Sequence, residues 1–430
     1  MNRFLVLLLV FITTVWMCPN PLPKTCNCYC RDCEYRSRKW TIKCESVPDL
    51  KAFLSSLEKA RLEGLAIQSC TQPERNLTKL PKFRITHLRI NRCGIETVAD
   101  DAFVDVSRGL RTLDLSNNAL ATVPIFSSLV DLEKLYLNDN QLREVVDKSV
   151  NGRGSFDDLV NLEELYLKNN SFTEITNATF ASLRLLHELD ISHNKLQQIS
   201  VDAFQNQGKT RFVDLSFNEL TYVEPGTFKT LNTNILLLEN NRLKNLSANT
   251  FIGNPDLDEL NLMNNELSYL EPGTFNGMDS LRYLNMENNN LTSIDGVFGN
   301  LKNLRELLLS NNSIDHISNT TFNDSTEFIH LDLSYNKIKH IDPNALVEAT
   351  VINLNNNEIT TIEGIFGRVR DLTALYLSNN SISEITKTTF KEIRTLYTLD
   401  LLNNPIKSIA PYSFKTTFRV KLNSSTLATF

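Results

Sequence analysis

An asparagine recurs along this chain at Asn118, Asn140, Asn170, Asn194, Asn218, Asn241, Asn265, Asn289, Asn312, Asn336, Asn357, Asn380 and Asn404, mostly in steps of 23 or 24 residues. The same apolar frame surrounds each one, L-x-x-L-x-L-x-x-N-x-L. Leu110, Leu113, Leu115, Asn118 and Leu120 make the first clean copy; Leu132, Leu135, Leu137, Asn140 and Leu142 make the second. Thirteen copies in one register restrict the chain to a stack of repeats, each burying its apolar side against its neighbours. A length of 430 residues would otherwise imply two or three domains, but a stack grows without a central core. Two earlier copies carry cysteine in the asparagine slot: Leu62, Leu65, Ile67, Cys70, and then Ile85, Leu88, Ile90, Cys93, Ile95. A degenerate last copy runs through Val420, Leu422 and Leu427 with Ser425 in the slot. Fifteen repeats and a fragment are therefore expected.

Each part of the frame has a physical reason. Leu-x-Leu is a short strand whose alternate side chains point inward, the period-two pattern of a half-buried sheet. Stacked in parallel, such strands form a continuous ribbon on the concave side. The asparagine side chain both donates and accepts, so it can satisfy turn backbone groups that stacking would otherwise bury unpaired. A second apolar residue returns on the outer side. Phe180, Phe204, Phe228, Phe251, Phe275, Phe322, Phe390 and Phe414 each follow a slot asparagine by ten residues, and they should stack as a column. Burial of each contributes about 1.5–3 kcal/mol.

The N-terminus points to a compartment. Asn2 and Arg3 precede an apolar run from Phe4 to Ile12, too short to cross a bilayer comfortably. A charged head and such a run form a secretory signal peptide, expected over residues 1–18; the alternative is a single membrane anchor. The C-terminal stretch from Lys421 to Phe430 is too short and polar for a lipid-anchor signal. The mature chain is expected to be secreted and extracellular, with no membrane span.

Cysteine use agrees with an oxidising space. All eight cysteines lie between Cys18 and Cys93, and five crowd together as Cys26, Cys28, Cys30, Cys33 and Cys44. Cys30-x-x-Cys33 has zinc-ligand spacing, yet no partner Cys-x-x-Cys or His pair follows, so disulfides are expected and no metal site. Cys70 and Cys93 occupy one slot in successive repeats and should lie about one strand spacing apart, ~4.8 Å. That suits a bridge, but a slot side chain aimed into the core suits two buried thiols better. Two buried thiols are expected.

The frame with its following phenylalanine resembles the extracellular 24-residue class of leucine-rich repeats. That class includes Toll-type receptor ectodomains, chaoptin- and connectin-like adhesion proteins, and insect leucine-rich immune proteins. The resemblance runs over residues 61–430 and implies an α/β solenoid, a horseshoe with a parallel concave sheet. The cluster from Cys26 to Cys44 resembles the cysteine-rich N-terminal cap of the family, expected over residues 19–60. The other end departs from the family: it shows no C-terminal cysteine cap, membrane helix, Toll signalling domain or coiled-coil heptads.

Chemistry is sparse. The chain contains no G-x-S-x-G, no H-E-x-x-H and no phosphate-cradling glycine loop, so neither an enzyme nor a cofactor is expected. Lys plus Arg total 44 against 50 Asp plus Glu, a formal charge of −6 with no long basic run, which argues against nucleic acid. His316 and His340 fall one repeat apart at equal register and should stack as a solvated pair. Gly152-Arg153-Gly154 lies in the long step from Asn140 to Asn170 and reads as an extruded loop, a tolerant and often functional feature.

A binding role then falls to the outward positions three, five, seven and eight of each strand copy, which carry no obvious frame duty. On that reading Asn264→Ala should cost little. Asp114, Asp190, Asp214, Asp332 and Asp400 fill the fifth position as a solvated stripe. Phe212, Phe217, Ile235, Leu237, Met263 and Tyr283 are apolar at outward positions of consecutive repeats. In Ile235-Leu236-Leu237-Leu238, alternate members must face opposite ways, and clustered exposed apolar residues mark interaction sites. These six are the candidate partner-binding residues, with Glu188, Asp190, Glu239 and Glu259 as an acidic rim; Tyr136 and Tyr166 form a smaller aromatic pair. The expected partner is an extracellular protein, in adhesion or recognition; the alternative is a soluble innate-immune factor that binds microbial surfaces or other immune proteins.

Glycans delimit the same region. The N-x-S/T acceptor pattern occurs at Asn76, Asn169, Asn177, Asn245, Asn290, Asn311, Asn319, Asn323, Asn379 and Asn423. Asn169, Asn311 and Asn379 immediately precede a slot asparagine, at the lip of the concave sheet. The repeats with slots from Asn194 to Asn289 have none there: His193, Phe217, Asn240, Asn264 and Asn288 stand at the lip without an acceptor pattern.

Overall fold

Each Leu-x-Leu becomes a strand of three residues or a little more, as in Lys134–Tyr136, Glu164–Tyr166 and Glu188–Asp190, with the middle leucine buried. The computed structural model describes residues 22–31, 39–126, 128–145, 154–298, 301–322, 327–414 and 417–422. The signal-peptide region, Cys18, Cys33, Gly152, Arg153, Asn323, Asn423, Ser425 and Leu427 lie outside them. Eighteen strands join in one sheet. Rungs of the repeats pair in parallel and in register, Leu165 with Leu189, Leu189 with Val213, Val213 with Leu236, Leu236 with Leu260. The frame holds this register even across the long step, where Leu135 pairs with Leu165, because a slip of one residue would turn the leucines out to solvent.

At the N-terminal end Cys26–Arg31 and Lys39–Cys44 form an antiparallel pair, and the second of these strands runs parallel to the first repeat strand, Gly64–Ile67. A Cys26–Cys44 disulfide ties the pair together, and Cys28 and Cys30 are each disulfide-bonded as well. Leu50–Ser56 is the α-helix among the described residues; Asp49 caps it by accepting from the Ala52 N–H at 2.8 Å. At the other end Val420 pairs with Leu399, so the degenerate last copy does add a rung. The outer side of the body is built of turns and of two-residue parallel ladders such as Glu174–Ile175 with Gln198–Ile199.

The phenylalanine column forms. Rings from Phe180 through Phe204, Phe228, Phe251, Phe275 and Phe298 to Phe322 follow one another at 6.0–6.2 Å between centroids. Leu346 takes the place after Phe322, and the column resumes with Phe366, Phe390 and Phe414. His316 and His340 stack at 5.5 Å, and both approach Asp342, at 3.6 and 3.4 Å.

The slot asparagines fasten each repeat to the one before it. Asn265 Nδ2 donates to Leu262 O in its own repeat and to Leu238 O in the preceding one, both at 3.0 Å. Its Oδ1 accepts the Leu243 N–H, again from the preceding repeat, at 3.0 Å. All thirteen accept such a backward bond, from Asn118 with the Cys93 N–H to Asn404 with the Ile382 N–H.

That direction overturns one expectation. Cys70 and Cys93 are not two buried thiols but a disulfide, with their Cα atoms 4.6 Å apart. A slot side chain aims along the stack at its neighbour rather than straight into the core, so two cysteines in adjacent slots meet.

A second expectation also fails, because the residue before the slot does have a frame duty. Its φ is positive in every copy from Arg92 to Asn403, between +48° and +58°. This left-handed turn costs an ordinary L-residue about 1–2 kcal/mol, and asparagine tolerates it best after glycine. Asn264 has φ +54° and also donates to Asn240 Oδ1 at 3.0 Å. Asn264→Ala is therefore not neutral. His193, Phe217 and Tyr335 hold the same conformation without asparagine's tolerance.

Candidate binding face

The paired strands lay the outward residues on rails. One rail runs Glu188, Phe212, Ile235, Glu259, Tyr283, Glu306, and the rail beside it runs Asp190, Asp214, Leu237, Asn261, Asn285, Leu308. Met263 and Glu239 follow at the seventh position of their repeats, and Phe217 stands at the lip. The structure thus places all ten candidate residues on one continuous stretch of the sheet.

Their exposure differs from the sequence picture. Leu236 and Leu238 are fully buried, while Ile235 and Leu237 are half-buried on the open side, as alternation demands. Phe212, Met263 and Tyr283 are half-buried too, because neighbouring rungs shield their flanks. Phe217 alone of the six is well exposed, at 44%. Its ring stacks on His193 at 4.2 Å between centroids, so two lip residues in left-handed backbone make an aromatic step at the edge of the sheet. Strained, exposed aromatic residues of this kind concentrate at functional sites. Sequence reading named Phe217 but not the stack; the missed signal was the replacement of lip asparagine in two successive repeats.

Charge follows position along the sheet. Toward the N-terminus acids and bases pair across rungs: Arg89 with Asp114 at 2.6 Å, Lys134 with Glu164 at 2.5 Å. Near the other end Lys421 pairs with Asp400 at 3.0 Å. Among the described residues the central acids have no such partner. Burial pushes the carboxyls of Asp214, Glu239 and Glu259 above the usual carboxylate range. Mutual proximity of acids adds to the effect at Asp214 and Glu239. Glu239 Oε2 is shut off from solvent with no hydrogen-bond partner.

Tyr136 and Tyr166 stack at 4.6 Å with rings 4° from parallel, and both hydroxyls reach Glu164 Oε2, at 3.4 and 3.3 Å. Burial pushes both phenols up, while Lys134 is raised by its hydrogen bond to Glu164. This pair is a locked part of the sheet surface.

The eight described acceptor asparagines, from Asn76 to Asn379, are all exposed. Asn169, Asn311 and Asn379 take the left-handed lip conformation, which turns their side chains to the rim of the sheet.

The Leucine rich repeat family model matches residues 83–142, 149–196, 184–233, 232–291, 302–350 and 370–417. The chain belongs to the leucine-rich-repeat family. No curated protein matches it in sequence. Among solved structures, this leucine-rich-repeat chain is similar to the APL1 leucine-rich repeat domain, with 19% identity over 87% of this chain and 89% of that one, at a TM-score of 0.58. It is also similar to a leucine-rich-repeat protein of Leptospira interrogans, with 22% identity, 88% and 99% coverage, and a TM-score of 0.56. A third likeness is to the Toll–Spätzle complex of Drosophila, at 17% identity, 90% and 68% coverage, and a TM-score of 0.59. At such identities the likeness is one of fold. The fold is a scaffold for binding proteins, and among the described residues no helix is long and apolar enough to cross a membrane.

Proposed function

We propose that this chain is a secreted protein-recognition solenoid, and that it holds an extracellular partner on the concave sheet between the lips at Asn169 and Asn311. One observation carries the reading. Apolar side chains occupy outward positions of four consecutive repeats from Phe212 to Tyr283, and none of these four carries a lip acceptor site; the apolar run continues at Leu308, but into a repeat whose lip, Asn311, is an acceptor. Phe212, Ile235 and Leu237 are the anchors; Glu188, Asp190, Glu239 and Glu259 form the rim. Apolar anchors within a polar rim are the usual interface arrangement. Disulfides in the cap support an oxidising compartment.

Adhesion or recognition of a protein partner is the leading role. An immune role is favoured by the neighbours: Toll–Spätzle is described as a molecular hub in development and innate immunity. Induction of the transcript by infection, against steady expression in one tissue, separates the two roles.

The site is tested with a sugar. Arg242→Thr converts Asn240-Asn241-Arg242 into an acceptor, copying the natural lip arrangement at Asn169-Asn170-Ser171. The glycosylated variant, secreted and folded, is expected to lose its extracellular partners in affinity capture. Undiminished capture places the site elsewhere.

A further inference from the structure

Among the described residues no element covers the sheet face between Glu188 and Glu287, and its charge specifies what fits it. Across the five repeats with slots from Asn194 to Asn289, the outward positions carry Glu188, Asp190, Asp214, Glu239, Glu259 and Glu287, and neither lysine nor arginine. Among the described residues none of the six forms an ion pair. Their partners are neutral donors: Ser192 on Asp190, Ser216 on Asp214, Ser310 on Glu287. Lys168, the nearest lysine on the sheet, stands two rungs from Asp214. The flanks behave oppositely, since the Arg89, Lys134 and Lys421 ion pairs neutralise acids there within the sheet itself.

Acids without ion-pair partners, packed among apolar side chains, repel one another and lose hydration, a cost that the neutral donors of this stretch offset only in part. Glu239 shows the cost most directly, because one carboxylate oxygen is sealed from water and unpaired. A cation arriving from outside would supply the missing partner. The acids also alternate along the rails with apolar residues, Glu188, Phe212, Ile235, Glu259, Tyr283. A bare metal ion or a polyamine would leave those apolar side chains uncovered, whereas a polypeptide covers both.

We infer that the occupant of this face is a protein segment in which lysine or arginine side chains are interleaved with apolar ones, the bases meeting Asp214, Glu239 and Glu259 and the apolar groups covering Phe212, Ile235 and Leu237. The inference rests on the concave face being the partner site and adds the chemistry of the partner. Electrostatic complementarity of this kind speeds encounter and rejects acidic competitors.

The test uses the full secreted chain and three labelled peptides, alternating arginine with leucine, serine with leucine, and glutamate with leucine, read by fluorescence anisotropy. The arginine peptide is expected to bind at least about tenfold tighter than the serine peptide, and to weaken about tenfold when salt shortens the screening length from ~30 to ~8 Å. The glutamate peptide should not bind. Asp214→Asn with Glu239→Gln and Glu259→Gln should remove the preference while leaving the melting temperature intact or raised. The Arg242→Thr glycoform should block binding. Equal binding of serine and arginine peptides, both blocked by the sugar, would overturn the basic-partner inference and leave the site reading standing. Displacement by spermine as effective as by the peptide would also overturn it, as would failure of the arginine peptide to bind. Arginine-peptide binding indifferent to the sugar would overturn the site reading itself.

Discussion

The first repeats and the body of the solenoid use one position for one purpose with different chemistry. Between Cys70 and Cys93 the slot side chains are joined covalently; from Asn118 onward each slot asparagine reaches back to its predecessor by hydrogen bonds. On their outer side the first repeats pack against a cap of two short strands rather than against further repeats, and a bond that survives local opening suits that junction. In the body, neighbours on both sides exclude water and hydrogen bonds suffice. The slot is thus a fastener between repeats, and only secondarily a residue of the core.

Breaking the covalent fastener should have the largest effect. Cys70→Ser with Cys93→Ser is expected to cost about 2–4 kcal/mol, confined to the first repeats, so hydrogen exchange of Leu65 and Leu88 amides should quicken while that of Leu260 stays unchanged. Exchange spread evenly along the chain would contradict this division. In the body, Asn265→Ala removes two bonds to the preceding repeat and two within its own, leaving buried groups unpaired. A loss of about 1–3 kcal/mol is expected, measurable as a lower melting temperature with the weakest protection between Leu238 and Leu262.

The lip should respond least. Asn264→Ala forces a left-handed backbone on a residue that resists it, for about 1 kcal/mol, and Asn264→Gly should restore most of the loss. At Phe217 the sign reverses: Phe217→Asn should stabilise the fold by up to about 1 kcal/mol and weaken partner capture. A stabilised variant with full capture would separate the strained aromatic lip from recognition.

The architecture was legible because thirteen asparagines and their leucines repeat the same environment; each copy restates the one before it. The phenylalanine column was legible only where outer loops have equal length. Phe298 and Phe366 follow their slots by nine residues rather than ten, yet shorter loops bring them to the same column. The lip was not legible, since backbone handedness leaves its trace as a preference for asparagine that looks like composition. Nor was the Cys70–Cys93 bridge, for it depends on the direction of a side chain, and spacing alone gives distance. At the binding face, the sequence placed Phe212, Ile235 and Leu237 on the open side, but their half-burial comes from flanking rungs, and the lack of bases shows only when four outward positions per repeat are mapped onto the sheet.

Because the slot asparagine always points to its predecessor, every repeat carries its own coupling, like a railway carriage with a hook at one end. Duplicating a repeat delivers a new unit already equipped to join the train, and deleting one lets the next hook close on an equivalent carbonyl. Length is therefore a cheap variable for this molecule to change over evolutionary time, in whole-repeat steps. The reach of its concave face, and with it the size of partner it can grip, can be retuned without redesigning a single joint.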